Sequence, residues 1–280
     1  LNKQVCQIIK TYEERITINK QTHIINYLKT KNMNQETLDK MRRMRLFGMY
    51  HAFKSGMETP RSEPYTADEM TSMLIESEWD DRHNRALDRG LRNARFRYKA
   101  TIEQVENAEQ RGIDKNQLHR LADGSFIKKF ENLLITGSTG TGKSFIASAI
   151  GHEACQLGYK VLYTNTIKLM AQLKMAKADG SSIKEMNRLE KQDLLILDDF
   201  GIQPFDNQSR SSLMEIIEDR HGKRSTIITS QLPIKGWYEV IGEQTIADAI
   251  LDRVVHNAHR IELKGESLRK KQITKEEEKE

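Results

Sequence analysis

The chain of 280 residues has only two cysteines, Cys6 and Cys155, which form neither a disulfide framework nor a spaced pair of metal ligands. So sparse a use of cysteine fits a reducing compartment. Nowhere do eighteen apolar residues follow one another, so no membrane span is expected, and the start of the chain lacks the apolar core of a secretory leader. The expected location is therefore cytoplasmic. A decisive net charge is missing too. The formal charge is +5, yet the first 32 residues hold six Lys/Arg against two Glu, and the remainder carries 39 basic against 38 acidic side chains. Overall charge then says little about partners, and local patterning must carry that case. No internal repeat is visible.

The chain begins with Leu1, whereas "MNQETLDKMRRMRLFGM" from Met33 reads as a natural start, so residues 1–32 are expected to be an upstream extension. Residues 33–122 read as a small all-helical domain. Met41, Met44, Leu46 and Met49 fall near helical spacing, "TPRSEP" (59–64) supplies a break, and Thr66 with Glu69 forms a capping-box pattern. From about residue 123 the pattern becomes α/β. Compact apolar runs at 132–136, 160–165, 193–198 and 225–230 suit parallel strands buried on both faces, with room for crossover helices between them. A last strand is expected at 259–263, closing a domain over 123–264, and residues 265–280 are too charged to bury anything.

Between the first strand and the next helix lies "GSTGTGKS", Gly137, Ser138, Thr139, Gly140, Thr141, Gly142, Lys143 and Ser144, a phosphate-binding loop pattern in its proper context. Its glycines let successive N–H groups face an anion at a helix N-terminus. Lys143 would reach the β- and γ-phosphates of ATP, and Ser144 would offer its hydroxyl to Mg²⁺. About fifty residues on, "DLLILDDFG" is an apolar strand ending in acids. Asp198 is placed to hold the Mg²⁺ shell and Asp199 to orient or deprotonate water. Aspartate is one methylene shorter than the glutamate many such sites carry, which suits slow, regulated hydrolysis.

Gln231, ending the next strand, stands where a sensor of γ-phosphate or water would sit; a satisfied strand-end amide is the alternative. Arg253, on a helix before the last strand, suits an arginine acting across a subunit interface, or else a surface ion pair. Arg82, Arg85, Arg89, Arg92 and Arg95 recur every three or four residues while Leu87, Leu91, Ala94 and Tyr98 recur on another face. Such a stripe could track phosphates, or it could be a solvated face paired with Glu78, Asp80 and Asp81. His256 and His259 lack further ligands nearby, and "HEACQ" lacks the second histidine of a zinc site, so zinc is not expected.

With "MRRMRLFGM" (41–49), "NLLITGSTGTGKSFIASAIGHEACQLGYKVLYTN" (132–165), "LLILDDFG" (194–201), "STIITSQLP" (225–233) and "IADAILDRVVHNAHRIELKGESLRKK" (246–271), the chain resembles the AAA+ ATPases of the DnaA/DnaC branch, and more closely the IstB-like ATP-binding proteins. The resemblance covers about residues 33–271. It implies an ATP-dependent homo-oligomer that coats and deforms duplex DNA, largely regardless of sequence, and recruits or activates an IstA-type transposase. It implies Lys143 and Ser144 at phosphate and Mg²⁺, Asp198 and Asp199 as the acids of the second motif, Gln231 as sensor and Arg253 as the finger in trans. The residues after "HRIEL" are too few for the helical lid of the wider group. The segment at 165–192 resembles the inserted helix by which this branch lines a filament with DNA contacts, for which Lys174 and Lys177 are the expected residues. The rival expectations are a DnaC-like helicase loader and a nucleotide-gated scaffold that scarcely hydrolyses ATP.

Overall fold

The computed structural model describes residues 20–22, 29, 31–58, 65–105, 112–265 and 267–268. The expected extension over 1–32, the break at 59–64 and the charged tail lie almost wholly outside these residues. The chain divides into two compact units, residues 1–85 and 86–280.

In the first unit, residues 31–43 form helix α1 and Phe47–Glu58 form α2. Helix α1 ends without a glycine: Arg45 takes a left-handed φ of 60°, so that its N–H reaches Arg42 O and that of Leu46 reaches Met41 O. Helix α3, Ala67–Ala94, starts on the expected capping box, with Thr66 N–H donating to Glu69 Oε2 at 2.9 Å and Glu69 N–H to Thr66 Oγ1 at 3.2 Å. At 28 residues it is about 42 Å long and continues into the second unit. The first unit is held where α2 meets α3. A Cβ on Gly48 would lie 2.2 Å from Ser77 O, so only glycine lets the two backbones touch. Beside it the buried Glu78 carboxylate accepts from Gly48 N at 2.9 Å and Met49 N at 3.3 Å, capping α2 from a neighbouring helix.

The second unit is built on a five-stranded parallel sheet: β1 Asn132–Gly137, β2 Val161–Asn165, β3 Leu194–Phe200, β4 Ser225–Ser230 and β5 Ala258–Leu263, in the order β2-β3-β4-β1-β5. Each apolar run predicted as a strand is one, within about two residues at its ends. Alternate side chains enter opposite cores: Leu133 and Ile135 with Leu194 and Ile196 on one side, Leu134 with Leu195 and Leu197 on the other. That is why these strands read as continuous rather than alternating hydrophobic runs. The first core is covered by α6, Lys143–Gln156, and by α4, Lys115–Ala122, and α5, Ser125–Lys128. Residues 86–105 and 112–122, read from the sequence as part of the helical domain, pack into this core through Ala94, Ala100, Ile102, Ile113, Leu118 and Leu121.

The second core lies under α7, Thr166–Ala178, α8, Ser182–Glu190, α9, Asn207–Arg220, α10, Trp237–Ile241, and α11, Gln244–Val255. The segment expected to hold one inserted helix is thus two, α7 and α8, parted at Gly180. At the sheet's N-terminal edge Arg220, 2% exposed, donates to Leu189 O and Gln192 O at 2.9 Å, Ser225 O at 2.5 Å, Asp193 O at 3.5 Å and Thr226 Oγ1 at 3.1 Å. One guanidinium thereby ties the end of α8 to the starts of β3 and β4. Burial, then repulsion by Arg224, pulls its pKa down to about 9, still protonated at neutral pH. No helix among the described residues is long and apolar enough to cross a membrane.

Candidate nucleotide site

At the C-terminal ends of β1, β3 and β4 the two expected motifs meet. The loop after β1 turns through Gly137, Gly140 and Gly142, all at positive φ. A Cβ on Gly137 would stand 2.5 Å from Leu263 O, and one on Gly140 would stand 2.1 Å from Ser267 Oγ. The residues after β5 therefore lie directly on this loop, and Leu268 N–H donates to Gly140 O at 3.0 Å. The buried Lys143 curls back so that Nζ donates to Gly137 O at 2.7 Å and Ser138 O at 2.8 Å. This places an ammonium within the mouth of the loop, at the N-terminus of α6 where anions are favoured.

Ser144 Oγ donates to Asp198 Oδ1 at 2.8 Å, closing a gap of 54 residues in sequence. Asp198 is fully buried, and every polar neighbour serves it: Thr229 Oγ1 donates to the same oxygen at 2.5 Å, and the Tyr163 hydroxyl donates to Oδ2. Burial, and then the bond to Asp198, drives the Tyr163 pKa up, so it remains a donor. A hydroxyl and a carboxylate side by side are the hard oxygen donors that Mg²⁺ prefers, so the residues present fit that ion.

Asp199 sits on a bulge in the β3–β4 pairing and takes a left-handed φ of 58°. Its N–H donates to Thr229 Oγ1 at 3.2 Å, and Asn165 Nδ2 donates to its Oδ2 at 3.0 Å. Burial and then the charge of Asp198 raise its pKa from the ordinary aspartate value, opposed by Arg97, Lys143 and Asn165. Asn165 also caps α7, its Oδ1 accepting from Lys168 N at 3.3 Å, so one amide links that helix to Asp199. Gln231 Oε1 accepts from Thr139 Oγ1 at 2.6 Å, which brings the strand-end amide against the phosphate loop.

Arg253 is not part of this cluster. The Asn132 side chain donates to Arg253 O at 3.4 Å, so Arg253 lies at the start of β1, about 17 Å of strand away from the loop at its end. Its guanidinium pairs with Glu218 at 2.7 Å and, with Lys129 and Arg224, lines a cavity of about 250 Å³.

The basic stripe divides. Arg82 pairs with Glu78 at 2.7 Å and Arg85 with Asp81 at 2.5 Å, while Arg85 also lies over the Phe47 ring at 5.3 Å. Those two follow the ion-paired alternative. Arg89, Arg92 and Arg95 are exposed and have no carboxylate partner among the described residues. Likewise Lys174 pairs with Asp206, whereas Lys177, one turn on, is exposed with no such partner among the described residues.

Four contributors escaped the sequence reading. Thr229 and Asn165 left a faint signal, as polar residues at the C-terminal ends of strands. Tyr163, one of the apolar positions of a predicted strand, and Arg97, just past the basic stripe, left none.

A five-stranded parallel sheet with a phosphate loop after its first strand and paired acids near the end of its third is the arrangement of a P-loop nucleotide-binding protein. Solved structures with this fold include DnaI, at 23% identity and TM-score 0.50 over 59% of this chain and 92% of that one, and the replication initiator DnaA bound to AMPPCP and single-stranded DNA, at 18% and 0.51 over 66% and 56%. Residues 39–276 match the family described as IstB-like ATP binding protein, and the chain belongs to that family. It is 46% identical to the insertion sequence ATP-binding protein y4pL of Sinorhizobium fredii, over 85% of this chain and 98% of that protein. To the insertion sequence IS21 ATP-binding protein of Pseudomonas aeruginosa it is 32% identical, over 81% and 85%.

Proposed function

We propose that this protein is an ATP-hydrolysing helper of transposition that assembles on duplex DNA and prepares it for a partner transposase of the IstA type. The observation that carries the reading is the contact of Ser144 with Asp198, which joins phosphate loop and acidic strand into one site in a chain whose relatives are insertion-sequence ATP-binding proteins. ATP lies along residues 137–144, with Lys143 leaving the loop carbonyls for the β- and γ-phosphates. Ser144 and Asp198 would hold Mg²⁺, which would supply neutralisation of the phosphate charge. Asp199, beside Asp198 and held by Asn165 at 3.0 Å, orients or deprotonates the attacking water. Gln231, already against Thr139, reports on the γ-phosphate.

Arg253 completes the site of a neighbouring protomer, exchanging Glu218 for phosphate, which makes assembly ATP-dependent. Arg89, Arg92, Arg95 and Lys177 contact DNA phosphates first, because Arg82, Arg85 and Lys174 must give up Glu78, Asp81 and Asp206 to do so.

The test is the mass of the species formed on a long random-sequence duplex with ATP, with ADP and without nucleotide, beside a single-stranded control. Large complexes only with ATP and only on duplex are expected. Lys143→Ala abolishes them, and Asp199→Asn keeps them but blocks phosphate release. Assembly confined to single strands would overturn this reading in favour of a helicase loader. Normal assembly of the Lys143 variant would refute the role of ATP.

A further inference from the structure

The stretch just beyond α3 holds a cation against both acids of the site. Ala94 and Ala100 are fully buried on either side of it. Between them Phe96 packs edge-on to Tyr163, with ring centres 6.4 Å apart, and Tyr98 packs on Phe145 at 6.1 Å. Two anchored rings fix the backbone, and the residue between them, Arg97, turns to the acids. Its Nη1 lies 3.6 Å from Asp198 Oδ2 and 3.5 Å from Asp199 Oδ2, with the side chain 45% exposed.

Asp198 Oδ1 is engaged by Ser144 and Thr229, Oδ2 by Tyr163 and Arg97. Two carboxylates so close, with Asp198 fully buried, need a compensating positive charge. A divalent cation brought to Ser144 and Asp198 would meet a guanidinium already paired with the same carboxylates, and like charges at such distances repel.

We propose that Arg97 is a resident counter-cation of the Asp198–Asp199 pair, which gives way when a Mg²⁺-nucleotide loads and so raises the Mg²⁺ concentration that loading requires. The inference rests on the nucleotide-site reading above. Arg97 is then a positioning residue: it holds both carboxylates in the arrangement the metal finds, and its release is part of loading. Arginine suits the task, because a single amino group of its guanidinium reaches both carboxylates and it stays charged at neutral pH.

The experiment is a Mg²⁺ titration of fluorescent ATP-analogue binding to the full chain, at fixed nucleotide, with thermal melting as the folding control. Arg97→Gln is expected to move the Mg²⁺ midpoint about 3- to 10-fold lower, while Arg97→Lys, which keeps the charge, stays near the wild type. An unchanged or higher midpoint in a normally melting Arg97→Gln protein overturns the proposal. A second measurement needs no variant: phenylglyoxal labelling, read residue by residue by mass spectrometry, should rise at Arg97 when Mg²⁺ and ADP are added together, and a constant level also overturns it. Failure of the wild-type chain to bind the analogue at any Mg²⁺ concentration would instead remove the nucleotide-site reading itself, and this inference with it.

Discussion

Replacing Arg220 by methionine keeps an unbranched apolar stem but removes the guanidinium and with it every donor. Four carbonyls and one hydroxyl then lose the guanidinium at once, at the junction of α8, β3 and β4, and of these Leu189 O and Asp193 O keep a backbone N–H donor. Hydrogen bonds from a charged donor contribute about 1.5–3 kcal/mol each, but burying the guanidinium costs much of that sum, so the net loss is roughly 3–5 kcal/mol. For a unit of this size 1 kcal/mol moves the melting point by about 2–4 °C, which makes the expected fall roughly 6–20 °C. Calorimetry of the wild type, Arg220→Met and Arg220→Lys would show it, with lysine intermediate because one ammonium cannot serve five acceptors. A fall below about 3 °C would refute the reasoning, since it would mean that water from the adjoining cavity satisfies the same carbonyls. Nucleotide binding reports separately, because β3 and β4 carry Asp198, Asp199 and Gln231 at their far ends.

The remaining predictions concern the first unit. Gly48→Ala drives a methyl into Ser77 O and should destabilise the α2–α3 contact by about 3 kcal/mol or more, seen as early loss of helical circular dichroism; wild-type melting would show that the helices can part freely. Burial alone would raise the pKa of Glu78, but Arg82 and the N–H groups of Met49 and Gly48 outweigh it and hold the pKa below the ordinary 4.5. The folded value is thus the lower one, so this contribution to stability is present above pH 4.5 and is lost as pH falls through the folded pKa. Melting of the wild type should therefore fall between pH 6 and pH 3 more steeply than that of Glu78→Gln, and equal slopes would contradict the capping role.

Most of the second unit could be read from local pattern, because parallel strands buried on both faces must be continuous apolar runs and a phosphate loop must have its glycines. The Thr66–Glu69 cap was legible for the same reason: it is a contact between residues three apart. What stayed hidden depends on distance in the fold. The pairing of Arg82 with Glu78 and of Arg85 with Asp81 was legible too, each being a contact four residues apart on α3, but nothing local foretold that Arg95 would fall just past the end of that helix at a left-handed φ of 57°. Arg97 looks like one more basic residue after that stripe, and only the anchoring of Phe96 and Tyr98 turns it toward the acids. Arg220 belongs to no motif, and only the fold brings it to carbonyls of α8, of the segment before β3 and of β4.

The bond from Leu268 to Gly140 has a mechanical meaning. The segment leaving β5 is tied to the middle of the phosphate loop, through a glycine that has no room for a side chain beneath Ser267. Tension applied to the chain beyond Leu268, by a tether, a fused domain or a bound partner, is delivered first to the loop that grips nucleotide.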